Sequence, residues 1–475
     1  MRRYIRLAGR SPATRWGVVL ATALTIPMNG CKDMLKVEDP EFANPAGLNT
    51  AEGVPILIAT GLGDFQIGYG GDGNGNDSFL STTALFTDEF HSSDTFTTRT
   101  AMDQRTLQPP ANTNESDDPF YFLQLARRSL KIAADATERF FGADDSRLVR
   151  LRSLEGYTYV ALGEAFCSHV PFSETTESGA PGEYGPPLTT QQMFEEALAR
   201  FNTALGVDNT SELAAVGRAR ALLNLGRFDE AATAVAAVPT TFVYKIEHSG
   251  NTTRQNNAVF ALQDNGRYSV AEQEGGGLPF RSALDPRIPW VGPFAGFDAS
   301  IPQFINLRYG SIEADVPLAN GVEARLIEAE AALRRGDAVT WLAKLNELRA
   351  NVLTLMAINF DDYEQSRELA IESNGGTGFG ALAPLVDPLT DAARVDLMFR
   401  ERAFWLYNTG HRLGDLRRLA RPVSAGGYGR PVAQVFPNGS YFKGGEYGAD
   451  VAFSLPQEEV NNPNFDPNAC STTQP

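Results

Sequence analysis

In Leu225-Gly226-Arg227-Phe228-Asp229-Glu230-Ala231, a glycine breaks a helical pattern that resumes two residues later. A bare glycine at such a break lets two antiparallel helices approach closely, and Ala231 is small enough to pack where they cross. The flanks agree with this reading. Residues of about 211–224 and 228–237 both pattern as helices, and Pro239 follows the second.

Two weaker copies of the break are visible, at Tyr157…Leu162-Gly163 and at Leu333…Gly336-Asp337. The central stretch closely follows the turn pattern of tetratricopeptide repeats. Gly163, Gly226 and Gly336 are 63 and 110 residues apart, not one repeat of about 34. The array is therefore interrupted by insertions and reads as a scaffold rather than a regular solenoid. Plain antiparallel helix pairs without a peptide groove would show the same pattern.

Working outward, Thr189-x-x-Gln192 forms a capping-box pattern ahead of a helix at about 190–205, where Phe194, Leu198, Phe201 and Leu205 recur at helical spacing. Asp118 and Pro119 read as N-cap and first residue of a helix over 120–141. Further helices are predicted at about 51–62, 145–167, 320–335, 338–351, 391–409 and 411–420. Residues 61–77 hold seven glycines with Asp72, Asn74, Asn76 and Asp77, which predicts a flexible loop. Residues 240–318 have few helix formers and short β-like runs. A Gly/Pro-rich connector spans 373–389, and the tail from 421 reads as loop. The fold class is mostly α: a helical scaffold over about 120–239 and 320–420, loop-rich regions at about 61–118 and 240–318, and minor β.

Composition narrows the function. Of 475 residues, 43% are hydrophobic and 10% aromatic, which excludes wholesale disorder. A formal charge of −17 argues against nucleic-acid binding. No run of 18 apolar residues is present, so no spanning helix is expected. Residues 1–30 stand apart: five arginines and no acid lead into a short apolar run, the pattern of a secretory signal. Gly30-Cys31 then resembles a bacterial lipobox, with Cys31 the lipidated first residue; an ordinary signal peptide cut nearby is the alternative. Removing 1–30 shifts the formal charge from −17 to −22. Cys167 and Cys470 remain. An exported protein can form a disulfide, but the sequence does not say whether these two meet or stay free thiols.

Catalytic and metal patterns are missing. The four histidines (His91, His169, His248, His411) form no i,i+2 or i,i+4 pair. There is no Cys-x-x-Cys, no Gly-x-Ser-x-Gly and no phosphate loop. Asp72-x-Asn74-x-Asn76 begins like a calcium loop, but Asp77 and Thr83 stand where glycine and glutamate are needed. Asp88-Glu89 is the most noticeable acid pair, and adjacent side chains diverge on either a strand or a helix. No catalytic residue, metal site or cofactor is expected.

Three further stretches carry a resemblance. Cys31-Lys32-Asp33-Met34-Leu35…Asp39-Pro40 looks like the mature start of SusD/RagB proteins. Leu326-Ile327-Glu328-Ala329-Glu330-Ala331…Gly336-Asp337…Leu345-Asn346-Glu347-Leu348-Arg349-Ala350 resembles their central helix pair. Arg400-Glu401-Arg402…Gly410-His411-Arg412-Leu413-Gly414-Asp415-Leu416-Arg417-Arg418 resembles their most specific motif. The chain departs from the family at Asn408-Thr409-Gly410, where Glu-Gly is usual. The resemblance implies a signal peptide at 1–30, a single SusD-like domain over 31–475, and a lipid-anchored position on the outer membrane facing the cell surface. It implies binding of a nutrient, often an oligosaccharide, and action as a lid on a SusC-like TonB-dependent transporter. The partner supplies the energy, so the resemblance requires no cofactor.

The residues themselves make 395–407 a buried helix, with Trp405 in the core, and make Glu401, Arg412, Asp415 and Arg417 its ion pairs and caps. A sugar site needs a flat aromatic face with planar polar groups nearby, set on loops. Two loop regions qualify. One, at 64–105, offers Tyr69, Asp72, Asn74, Asp88, Arg99 and Arg105. The other, at 265–310, offers Arg267, Tyr268, Arg287 and Trp290, with the Pro-bracketed Trp290 as the foremost platform. Two rivals to nutrient uptake remain: a tetratricopeptide-like protein–protein scaffold of the envelope without a small ligand, and a surface glycan hydrolase with two facing carboxylates.

Overall fold

In the computed structural model the chain divides into two units, Met1–Asn44 and Pro45–Pro475. The structure describes residues 48–475 except 75–76, 108–114, 116, 175–183 and 467. The expected signal peptide and Cys31 lie outside the described residues, as does Asn76.

The first helices are α1 (Val54–Gly70), α2 (Phe79–Phe86), α3 (Thr97–Gln104), α4 (Asp117–Phe141) and α5 (Arg147–Ala165), with strand β1 (Phe90–Ser92) between α2 and α3. Here the structure corrects the expected loop at 61–77, because α1 runs through to Gly70. The glycines that suggested a loop are instead packing sites. A Cβ on Gly61 would meet Leu130 of α4 at 3.2 Å, and one on Gly68 would meet the Phe122 carbonyl oxygen at 3.0 Å. Their bare backbone lets the two helices pack closely, and that contact outweighs glycine's poor helix propensity. Asp118 and Pro119 both fall inside the first turn of α4 rather than at its cap.

After β2 (Val170–Pro171) and β3 (Pro187–Leu188) comes the stretch that opened the sequence reading: α6 (Thr190–Val207), α7 (Glu212–Asn224) and α8 (Phe228–Val235). The capping box forms as expected. Thr189 Oγ1 accepts from Gln192 N–H at 3.2 Å, and Gln192 Oε1 accepts from Thr189 N–H at 2.9 Å. Gly226 turns the chain at φ 75°, and a Cβ there would lie 2.6 Å from Gly426 Cα, so two glycine backbones touch. Gly336 also turns the chain, at φ 78°. Gly163 does not: it lies inside α5, where a Cβ would meet the Phe194 ring at 2.9 Å.

An insertion follows, containing β4 (Val243–Ile246), α9 (Ala258–Asp264), β5 (Tyr268–Val270), β6 (Trp290–Ala295), β7 (Pro302–Asn306) and β8 (Val316–Asn320). Antiparallel β4 and β8 close its neck, with Val243 opposite Asn320 and Ile246 opposite Val316. The scaffold then resumes with α10 (Gly321–Arg334), α11 (Ala338–Ala350), α12 (Val352–Asn359), α13 (Tyr363–Ser373), α14 (Asp391–Trp405) and α15 (Arg412–Ala420). Helices α4, α5, α6, α7, α8, α10 and α11 pack each on the next, so α10 continues the stack as though the insertion were absent.

Among its described residues the tail has no regular strand or long helix, but it is anchored. Phe453 is buried; its N–H donates to Ala165 O at 2.7 Å, and its carbonyl accepts from Cys167 N–H at 3.0 Å. A disulfide joins Cys167 to Cys470 across 303 residues, which resolves the pairing the sequence left open. Among the described residues no helix is long and apolar enough to cross a membrane.

Candidate functional site

The 400–418 motif is a clamp. Arg402 makes a bidentate pair with Asp415 at 2.7 and 2.9 Å, and Arg418 another with Glu330 of α10 at 2.9 and 3.1 Å. Arg412 reaches Asp88 at 2.6 and 2.8 Å, while His411 Nε2 lies 3.1 Å from Glu323. Arg417 donates to the carbonyls of Gly163, Glu164 and Phe166 at 3.1, 2.9 and 3.0 Å. All these side chains are buried, and Trp405 lies in the core as expected. Removing one partner of such a pair typically costs about 3–5 kcal/mol, because a charge is left stranded.

Most of the ligand candidates prove to belong to similar internal ties. Arg287 is buried between Asp285, at 2.7 and 2.9 Å, and Glu401, at 2.7 Å. Arg105 donates to the carbonyls of Asp450 at 2.6 Å and Gly448 at 2.8 Å, and also to that of Pro437, which holds the tail. Tyr69 donates to Thr409 O at 3.0 Å. Asp88 is consumed by Arg412. Asp72 accepts from Asn74 N–H at 2.9 Å in a local turn; Asn74 itself is exposed.

Trp290 needs the plainest correction as a platform. It is only 8% exposed, donates its indole N–H to Arg281 O at 3.1 Å, and packs edge-on to Phe304 and Phe379. Strand β6 passes from buried at Trp290 to exposed at Phe294, so the open aromatic lies further along the same Pro-punctuated strand.

Three candidates do come together. Arg99, Arg267 and Tyr268 meet around two acids: Arg99 donates to Asp94 at 2.8 Å and Asp77 at 2.9 Å, Arg267 to Asp94 at 2.8 Å, and Tyr268 Oη to Asp77 at 2.5 Å. Burial alone would raise Asp94, but the two guanidinium groups hold it below the usual carboxylate range. Tyr268 and Arg99 are buried; Arg267 is part-exposed. Its guanidinium lies over the rings of Phe96, at 4.5 Å, and Phe297, at 4.1 Å. These rings are 47% and 49% exposed, and Phe294 is 50% exposed. Backbone bonds knit the segments together: Ser93 N–H donates to Arg267 O at 2.9 Å, Phe297 N–H to Gly266 O at 2.7 Å and Asp298 N–H to Ser93 O at 2.8 Å. Lys443 Nζ adds a charge, donating to Asp94 O at 2.6 Å.

The result is an open shelf: aromatic faces available to solvent, with a guanidinium laid on them and braced from behind by a buried acid. Apolar faces can cover the C–H surface of a ring, and planar cations can donate to paired oxygens. Phe96, Phe294 and Phe297 were missed from sequence. The Phe294-Ala-Gly-Phe297 spacing beside Pro293 was the available signal.

Comparison with known proteins places the scaffold. A tetratricopeptide-repeat family model matches residues 188–242, the α6–α8 region. The sequence has no match among curated proteins. Solved structures match over most of the chain. A SusD superfamily protein from Parabacteroides distasonis superposes with a TM-score of 0.61 at 12% identity, covering 87% of this chain and 98% of its own. Surface glycan-binding protein A from Bacteroides uniformis gives 0.58 at 14%, covering 88% and 100%. A SusD-like carbohydrate binding protein from Bacteroides vulgatus gives 0.54 at 16%, covering 79% and 83%. The fold is therefore the SusD-like fold: a tetratricopeptide-type helical scaffold carrying a loop- and hairpin-rich insertion.

Proposed function

We propose that this chain is a SusD/RagB-type nutrient-binding lipoprotein, anchored to the outer membrane through Cys31 and exposed at the cell surface. It binds an oligosaccharide or related glycan and delivers it to a SusC-like TonB-dependent transporter. The observation that carries this reading is the Phe96–Arg267–Phe297 shelf on a SusD-like scaffold. Support comes from structural neighbours whose names describe glycan or carbohydrate binding. The 400–418 motif is assigned to stability, since Arg402, Arg412, Asp415 and Arg418 are spent on internal ion pairs and Arg417 on backbone carbonyls. A non-catalytic role fits the acids reached from sequence: Asp88 is locked to Arg412 and Glu89 is buried.

Two measurements test the proposal. Pull-down of the tagged, lipidated protein from membranes should recover a TonB-dependent barrel in near-equal amount; recovery of soluble envelope partners alone would put the scaffold reading first. On a glycan array, Phe297→Ala is expected to lower binding of any retained glycan about fivefold, since lost aromatic stacking is worth on the order of 1 kcal/mol per ring. Unchanged binding would move the site off this shelf.

A further inference from the structure

The start of α6, the Gly226 turn and residues 469–475 border a cavity of about 780 Å3. That lies within the roughly 300–1,000 Å3 typical of small-molecule sites. Arg334, Arg417 and Arg421 line it, and among the described residues no aspartate or glutamate does. The side-chain hydrogen bonds of these arginines go to backbone carbonyls. Arg334 donates to Gly427 O at 3.1 Å, Arg421 to Asn224 O at 2.7 Å, and Arg417 to the three carbonyls already described. Among the described residues none of the three has a carboxylate partner, and Arg417 Nε is buried without an acceptor. The chain as a whole carries a charge of −17, so three guanidinium groups in a cavity whose described lining has one carboxylate, the terminal one of Pro475, form a local reversal of sign.

A second feature of the same cavity has the same polarity. Thr189, Thr190 and Gln191, the N-cap and first residues of α6, line it, so the positive end of an 18-residue helix dipole opens there. The wall is fixed by the disulfide: Ser168 follows Cys167, and Ala469 and Ser471 flank Cys470. Burial, with Arg421 adjoining, brings Arg417 down to about 9, and burial with Arg418 adjoining brings Arg421 down to about 10. Both remain cationic at neutral pH, at a cost that a bound anion would offset.

We propose that this cavity is a binding site for a small oxyanion, a carboxylate, sulfate or phosphate group, held by Arg421 and Arg334 at the start of α6. The site is separate from the aromatic shelf and does not depend on the glycan-uptake reading. Arginine forks suit such groups because they donate two parallel hydrogen bonds.

Isothermal titration of the disulfide-intact protein with glucuronate, sulfate and phosphate, at constant ionic strength, tests the site. At least one anion is expected to bind saturably at one per chain. Arg421→Gln and Arg334→Gln should each weaken that binding tenfold or more. These two are chosen because each ties a single carbonyl, whereas Arg417 ties three and its loss risks the fold. Circular dichroism checks both variants, and either one alone carries the test if the other misfolds. Tighter binding of glucuronate supports an organic acid as the occupant, and tighter binding of sulfate or phosphate supports a free inorganic ion. No saturable binding of all three, or binding that survives both substitutions, overturns the proposal.

Discussion

Glu89 shows how a single buried acid couples this fold to pH. It is fully buried, accepts Asn408 N–H at 2.8 Å through Oε1, and leaves Oε2 without a partner among the described residues. Burial pushes its carboxyl from 4.5 up to about 8, against the pull of the Asn408 N–H and of Arg412. The folded state therefore keeps a proton that the unfolded chain releases across that interval. This group's contribution to stability is complete below pH 4.5 and is lost as pH rises towards 8. Glu89→Gln keeps the acceptor and removes the charge. We expect its melting temperature to match the parent near pH 5 and to exceed it near pH 8, by the equivalent of about 1 kcal/mol or more. A variant that melts below the parent at both pH values would show that the charge itself is needed.

At the scale of elements, glycine decides how the helices pack. Gly217 of α7 faces Phe201 of α6 so closely that a Cβ would fall 2.2 Å from the ring and 2.9 Å from Tyr157. Gly217→Ala gains about 1 kcal/mol of helix propensity but must displace two buried rings. A net loss of about 1–3 kcal/mol is expected, read as a lower urea midpoint; a midpoint at or above the parent's would mean the helices separate freely. The same residue type explains what could be read in advance. Where glycine ends a helix, at Gly226 and Gly336, the turn was legible because the polar and apolar pattern stops there too. Where glycine lies inside a helix, as at Gly61, Gly68 and Gly163, only the partner helix explains it, and sequence alone suggested a loop or a turn. The ligand side was less legible for a related reason. Arg287, Tyr268 and Trp290 have the residue types of a sugar site, but Glu401, Asp77 and Phe379, from segments far away in the chain, pack against them and draw them inward. Phe96 and Phe297 stay half-exposed, with Arg267, braced by Asp94, laid on their faces.

For the whole molecule, the disulfide is the covalent cross-link among the described residues. It closes 303 residues between the end of α5 and the tail, and bridges of this kind contribute about 2–5 kcal/mol. Reduction should therefore lower the denaturation midpoint, and an unreduced digest should contain one cross-linked peptide pair with Cys167 and Cys470. Finding both thiols free in the folded chain would refute the pairing. The bond also poses a problem of timing. At about 5–20 residues per second, synthesis leaves Cys167 roughly 15–60 s without its partner. The sequence contains three cysteines, so the only other thiol made by then is that of Cys31. With a lipid on Cys31, as proposed, that thiol is no longer available, and Cys167 has one possible mate. The anchor would then serve the chain twice: as a tether once it is folded, and as a chemist's protecting group while it is being oxidised.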